Sequence, residues 1–455
     1  MHDRISNLKN IIESLTQYHE PKYLELIIVN DLLDQEGDIL ELLLTNSTQY
    51  FARVKLLRYS SGKSYAFLSN KAFDESRGEL ILFVNPNLIL TEGWLDYLIQ
   101  DISSSDILAA IGPVSNFGTD SQTIKADYTS LNELNDFVRN RIVSKEDWQI
   151  KYTTALDSYC VMIKRDIFLF VGKFNLKYTL QQHCFYDLSL KILKSGLNLG
   201  VSEKVYLHRH VDYTTEQFVH THASEINYNN QILNEFWSTT LNYENLPSIN
   251  YNNLIDQNAK EILEFNCEYG ERLLQLKNTR KCTVTGIPYN KKQHDIASKH
   301  LDYAISPQDI NSLNGKYFHA IILDNTLHDH NDSKILLKRS INLLKPYNGC
   351  IYASINNAQH YKQFNYLFNG QRKMIDRQKV ANPITTYTLS EIIDLFQESN
   401  LKINRIYPVI NAINKQDIEL FSDLIQTLSK HGKHENKLPF EQILNIHRFV
   451  VIASS

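Results

Sequence analysis

The chain has 455 residues, of which 43% are apolar and 22% charged, and a formal net charge of −4. That length supplies two or three domains with cores of their own, and the slight acidity argues against a nucleic-acid-binding protein. No run approaches the ~18 apolar residues of a membrane-spanning helix, and MHDRISNLKN lacks the apolar core of a signal peptide. Five scattered cysteines without CxxC spacing read as reduced core thiols. A cytoplasmic protein is expected.

Ile5, Leu8, Ile11, Ile12 and Leu15 recur at helical spacing and predict a helix over 4–18. Leu24 to Val29 is a buried strand ending at Asn30-Asp31. Val54–Leu57 is a second strand, followed by Ser60-Ser61-Gly62-Lys63 and a helix to about Asp74. Leu80–Val84 is an apolar run ending in the polar turn Asn85-Pro86-Asn87, as a parallel strand does where it delivers side chains to a site. A helix near Trp94–Ile102 and a strand at Ala109–Pro113 follow. This alternation predicts a parallel, doubly wound sheet with its ligand site at the carboxyl ends of the strands. Asp31, Arg58, Lys63, Asn85 and Asn87 lie at those ends. Each has a plainer reading, as a strand cap, a solvated cation or a polar turn. An amide carbonyl can ligate Mg²⁺ or Mn²⁺ but brings no charge, so Asn85 and Asn87 compete poorly for either.

These segments, LELIIVND, GELILFVNPN and GWLDYLI in that order, resemble a family-2 glycosyltransferase of the GT-A fold. Ile111-Gly112-Pro113-Val114-Ser115-Asn116 with Gln122 and Tyr128 is similar to a bacterial GPVSN…Q…Y subgroup. Cys160–Arg165, Val171–Phe174, Tyr186–Lys191 and Leu207-His208-Arg209-His210 extend the likeness over residues 4–215. The resemblance implies a UDP-sugar donor with Mn or Mg, bound by Asp31, Lys63, Asn85 and Asn87, with His208 a further metal ligand. An inverting transferase needs a carboxylate to take the acceptor's proton. At that position the family's acids become Cys184, Phe185 and Tyr186, leaving Asp187 as the candidate base or as a helix cap. Cys184 carries no mark of a nucleophile. The Asp-x-Asp of the metal site is replaced by Asn85 and Asn87. The family's first strand, central in its sheet, is absent, so something else fills its place or the sheet closes without it.

Residues 216–256 are polar, with a helix expected at Glu225–Trp237, and read as a connection between domains. A second alternation begins at Ala259: strands at Ile262–Phe265, Cys282–Ile287, Tyr303–Ser306, Phe318–Leu323 and Cys350–Ser354, with helices between. A helix at Thr388–Ser399 and strands at Leu401–Val409 and Arg448–Ala453 close the chain. Glu264-Phe265-Asn266-Cys267-Glu268-Tyr269-Gly270, Val284-Thr285-Gly286-Ile287, Leu343-Leu344-Lys345-Pro346, Ser354–Asn357 with His360-Tyr361, Ile375–Arg377 and Tyr387–Ile392 together resemble a class I S-adenosylmethionine-dependent methyltransferase over 257–455. The resemblance implies S-adenosylmethionine held by Glu264, Gly270 and Asp309. Of three turn glycines only Gly270 remains, Glu268 would repel the cofactor's carboxylate, and Pro288 replaces the ribose-binding acid. His328-Asp329-His330 reads as a solvated loop rather than a metal site, and Lys430–Lys437 as an exposed helix end.

The expected architecture is therefore α/β with two doubly wound domains: a GT-A-like one at 1–215 and a Rossmann-like methyltransferase one at 257–455. Two functions fit. One is a protein of bacterial surface-polysaccharide or glycoprotein glycan assembly whose substituted sites no longer catalyse, working with a protein partner or a glycan acceptor. The other is an active nucleotide-sugar-dependent transferase with an attached methyltransferase domain.

Overall fold

The computed structural model describes the chain except residues 1, 19, 32–48, 61, 146–147, 211–214, 244–248, 325, 330–332, 364–385 and 411–439. His330, Ile375–Arg377 and Lys430–Lys437 lie outside the described residues. The chain forms two compact units, Met1–Glu244 and Asn245–Ser455. No described helix is long and apolar enough to cross a membrane.

The first unit opens with the helix His2–Tyr18, then strands β1 (Glu25–Asn30) and β2 (Arg53–Arg58), the helix Tyr65–Glu75, and strands β3 (Leu80–Val84) and β4 (Leu88–Ile89). After the helix Trp94–Ser103 come β5 (Leu108–Ser115), β6 (Ile150–Thr153), β7 (Cys160–Lys164), the helix Gln181–Lys194, β8 (Asn198–Arg209) and the helix Ala223–Trp237. β5 runs parallel to β8, but β7 lies between β3 and β5, antiparallel to both. The main sheet is thus mixed, with order β3-β7-β5-β8-β4, rather than all parallel. β1 and β2 are not part of it: they form a separate two-stranded parallel sheet. Where the sequence suggested a connection, the helix Ala223–Trp237 packs into this unit, and Asn229 Oδ1 accepts from Thr179 N at 2.9 Å.

The core of the unit gathers Ile11, Ile12 and Leu15 from the first helix, Trp94 and Leu98 from the fourth strand's following helix, and Ile111 and Met162 from the sheet. β5 is buried along its whole length, as a central strand with both faces covered must be.

The second unit carries β9 (Glu261–Phe265), β10 (Thr283–Ile287), β11 (Tyr303–Ala304), β12 (Ala320–Asp324), β13 (Cys350–Asn356), β14 (Lys402–Ile410) and β15 (Ile446–Ser454). Their order is β11-β10-β9-β12-β13-β15-β14, with the first five parallel and β15 antiparallel to both its neighbours. Side chains of β9 and β12 alternate between two buried clusters, Leu263, Phe265, Ile321 and Leu323 on one face and Ile262, Ala320 and Ile322 on the other. Two-sided burial is why these strands are continuous apolar runs. Strand order reverses between β9 and β12, which marks the switch point where doubly wound sheets bind ligands.

Candidate functional site

In the first unit the carboxyl ends of β3, β5 and β8 converge. The turn after β3 is fastened to the segment before β7, since Asn85 N donates to Tyr159 O at 2.8 Å. His210 N donates to Asn87 O at 2.9 Å, which brings the β8 end to the same place. Asn116, after β5, holds the Arg209 backbone from both sides, accepting from its N at 2.7 Å and donating to its O at 3.1 Å.

The Asn85 and Asn87 side chains work inside the protein. Asn85 Oδ1 accepts from Asn87 N at 3.0 Å, an Asx turn, and Asn87 Oδ1 accepts from Asn7 Nδ2 at 3.3 Å. His208 Nδ1 meets the Tyr128 hydroxyl at 2.5 Å, and that hydroxyl meets Tyr206's at 2.6 Å. Burial, with His210 beside it, pushes the His208 imidazole below its ordinary value. Among the described residues no group of three or more His, Cys, Asp or Glu is placed to hold a metal. The donor set at Asn85, Asn87 and His208 is neutral and already engaged, so the residues do not fit a hard divalent cation.

Asp187 is elsewhere in function. It is buried on the helix Gln181–Lys194, with Oδ2 at 2.7 Å from Lys191 Nζ. Trp237 Nε1 donates to its Oδ1 at 2.8 Å, and Tyr178 OH reaches the same oxygen at 3.5 Å. None of these partners is Asn85, Asn87 or His208. Asp31 is half-buried after β1, and the Lys63 ammonium lies 5.7 Å from the Phe67 ring centroid. Buried Cys184 has its thiol pushed up to about 12, chiefly by burial, which removes it as a nucleophile.

Two residues the sequence reading gave no role belong to the site. Asp157 is buried just before β7; its Oδ2 accepts from Thr119 N at 3.2 Å and its Oδ1 lies 3.8 Å from Arg209 Nη1. Burial raises its carboxyl, and Arg209 opposes that rise. The motif Gly112…Gln122 explains its placement. Gln122 Nε2 donates to Pro113 O at 2.8 Å while its Oε1 accepts from Asp157 N at 2.6 Å. A Cβ on Gly112 would sit 2.6 Å from Gln122 Nε2, so only glycine lets this clamp close. Nothing in the sequence links Gln122 to a residue 35 positions away.

In the second unit the switch point is filled by charges of the chain itself. Arg272, the second residue of the helix Glu271–Thr279, pairs with both Glu264 on β9 and Asp324 at the end of β12. Arg448 Nη1 lies 3.8 Å from Asp324 Oδ1, and the Arg272 guanidinium lies 5.0 Å from the Tyr251 ring centroid. Burial pushes the Glu264 carboxyl up to about 7; Arg272 opposes the rise and the nearby Asp324 charge adds to it. The turn after β9 keeps left-handed backbone at Asn266 (φ 55), Glu268 (φ 50) and Gly270 (φ 89), although only the last is glycine. A Cβ on Gly270 would also meet Leu301 at 2.9 Å. Asp309 lies exposed in the 3₁₀ segment Pro307–Leu313.

Residues 1–169 match the family model "Glycosyl transferase family 2". No curated protein matches the chain. Among solved structures, an S-adenosylmethionine-dependent methyltransferase from Archaeoglobus fulgidus is 14% identical over 45% of this chain and 90% of its own, with a TM-score of 0.32. Another from Mesorhizobium loti is 11% identical over 45% and 95%, with a TM-score of 0.29. A mannosyltransferase from Pyrobaculum calidifontis, described in complex with GDP-Man and Mn²⁺, is 13% identical over 50% of this chain and 59% of its own, with a TM-score of 0.36. At these scores the architecture rests on strand order and register instead. Residues 1–169 are thus similar to glycosyl transferase family 2, and the second unit is a doubly wound α/β sheet by its own strand order.

Proposed function

We propose that this chain is a glycosyltransferase-related protein of bacterial glycan assembly that does not perform metal-dependent sugar transfer and acts through binding, to a glycan acceptor or a protein partner of the assembly. The observation that carries the reading is Asp187. It occupies the family's base position, yet it is buried, with Lys191 Nζ 2.7 Å from its Oδ2 and Trp237 Nε1 donating to its Oδ1. A base must reach the acceptor's proton, at about 2.6–3.2 Å or through one water; a buried, ion-paired carboxylate serves the fold instead. The engaged Asn85 and Asn87 carbonyls support the same conclusion for the metal site. Arg272 supports it for S-adenosylmethionine, because it pairs with Glu264, which the resemblance assigns to that cofactor, and with Asp324.

Asp157 favours a second reading, an active transferase that needs no metal. Its buried carboxylate stands beside Arg209 at the strand ends, so Asp157 would take the proton and Arg209 would meet the diphosphate. One calorimetric series separates the two: uridine and guanosine diphosphates with and without Mn²⁺, and S-adenosylmethionine, titrated into the whole chain. The first reading expects no heat from any of them. Saturable, Mn²⁺-independent binding of a nucleoside diphosphate, lost in Arg209→Ala, would establish the second.

A further inference from the structure

Asp157 and Arg209 stand side by side with bonding capacity unspent. Asp157 Oδ2 accepts from Thr119 N at 3.2 Å, but its Oδ1 is buried and meets no donor at hydrogen-bond geometry. Arg209 Nη1 lies 3.8 Å from that oxygen, too far for a direct hydrogen bond. Asn116 clasps the Arg209 backbone, yet among the described residues the guanidinium itself donates no hydrogen bond. A donor and an acceptor at this separation are placed to be bridged by one group that does both. A hydroxyl is such a group, accepting from the guanidinium and donating to the carboxylate.

The wall beside this pair is aromatic and held in place. The Arg209 guanidinium lies 5.2 Å from the Phe117 ring centroid and 5.6 Å from that of Tyr159. Tyr159 is fully buried, whereas Phe117, just past the end of β5, keeps 36% of its surface exposed. Its loop is tied down on both sides: Phe117 N donates to Ser115 Oγ at 3.4 Å, and Thr119 N to Asp157. Between them, a Cβ on Gly118 would come within 3.1 Å of Asp157 Oδ2 and 3.3 Å of the Tyr159 ring. Gln122 Oε1 fixes the Asp157 backbone from the other side. Groups held this way before a ligand arrives lose little freedom on binding it.

We propose that Asp157, Arg209 and Phe117 form a saccharide-binding site, in which one sugar hydroxyl bridges Asp157 Oδ1 and Arg209 Nη1 while neighbouring C–H groups pack on Phe117. Sugars set hydroxyl and C–H groups side by side on one ring. A carboxylate–guanidinium pair beside an exposed aromatic ring matches that combination. A phosphate fits less well, because a group that reached Arg209 would also meet the Asp157 carboxylate 3.8 Å away. The inference rests on the reading that the first unit acts by binding a glycan, and it names the residues that would do so. Asp187, Asn85 and Asn87 take no part in it.

The test uses the full chain with methyl glucoside, methyl galactoside and N-acetylglucosamine, each followed by saturation-transfer NMR on the sugar's C–H signals. Saturable binding of at least one is expected. Phe117→Ala and Asp157→Asn should each weaken it at least about tenfold. Phe117 is exposed, and Asp157→Asn keeps an acceptor for Thr119 N while turning an N–H toward Arg209, so both variants should keep the native far-ultraviolet dichroism. No saturation with any of the three sugars, or binding undiminished by either substitution, would overturn the site. Uridine diphosphate separates this inference from the reading beneath it. Should that nucleotide bind through Arg209 while the sugars still require Phe117, the non-catalytic reading fails and the saccharide site stands. Should the sugars fail while the nucleotide stays silent, the site falls and the non-catalytic reading stands.

Discussion

Asp187 can be tested as a fold residue. Removing one partner of a buried ion pair strands the other, and Trp237 Nε1 would also lose its acceptor. Asp187→Ala should therefore lower the stability of the first unit by about 3 kcal/mol, read from urea unfolding by tryptophan fluorescence. Asp187→Asn keeps an acceptor for Trp237 and should cost clearly less. A midpoint unmoved by Asp187→Ala would mean the carboxylate is not spent on the fold, which would reopen the base assignment. Glu268 is the counterpart in the second unit, a non-glycine residue held at φ 50 in the turn after β9. Glu268→Gly relieves a left-handed backbone worth ~1 kcal/mol, partly offset by glycine's freer unfolded chain. A net gain of about 0.5 kcal/mol in denaturant stability is expected. Residue identity alone pointed to lost glycines at 266 and 268; that the backbone keeps its glycine-like course was not legible, because φ belongs to the fold around it.

The elements were read most reliably where a local signal set their bounds. Thr388 is an instance: its side chain accepts from Glu391 N while Glu391 reaches back to Thr388 N, a capping box opening the helix Leu389–Glu398. Thr388→Ala should cost about 1 kcal/mol, whereas Thr388→Ser should be nearly silent, in a thermal or urea melt of the second unit. Leu80–Val84 was legible for a similar reason, an apolar run stopped by Asn-Pro-Asn. Its neighbours were not. β7 follows the Ala109–Pro113 strand by some fifty residues yet inserts between it and β3, antiparallel to both, and strand period says nothing about direction. The helix Ala223–Trp237 reads as polar, Asn-rich sequence because its buried Asn229 and Asn230 bond the segments they cover, Thr179 and His183. Polarity spent on internal hydrogen bonds looks, in sequence, like polarity facing water.

For the whole molecule the two units offer separate readouts, because Trp94, Trp148 and Trp237 all belong to the first. Tryptophan fluorescence follows that unit alone, while far-ultraviolet dichroism follows both, so unequal midpoints would show independent unfolding. The pH response of the second unit is set by opposed groups. Burial pushes the imidazoles of His360 and His447 down to about 3 and about 4. Their unfolded value is about 6.5. The folded state therefore binds fewer protons, and the stability it gains from these residues is complete above about pH 6.5 and lost as pH falls toward the folded values. At about pH 5 that loss amounts to roughly 1–2 kcal/mol for each. Glu264 works the other way. Its carboxyl is pushed up to about 7, against about 4.3 unfolded, so acidification from about pH 7 to 4.3 favours the folded state, by about 2 kcal/mol near pH 5. The two imidazole terms together exceed the Glu264 term, so the native chain's second unit should lose up to about 2 kcal/mol between pH 7 and 5, read as a fall in urea midpoint. Glu264→Gln removes the compensation without removing the site's shape. The second unit of that variant should lose about 2–3 kcal/mol over the same interval, and His447→Gln added to it should restore roughly half. A pH response unaltered by Glu264→Gln would mean that Arg272 keeps Glu264 fully ionised at neutral pH. The charges at the switch point would then form a closed ion cluster, with no proton to take up or release.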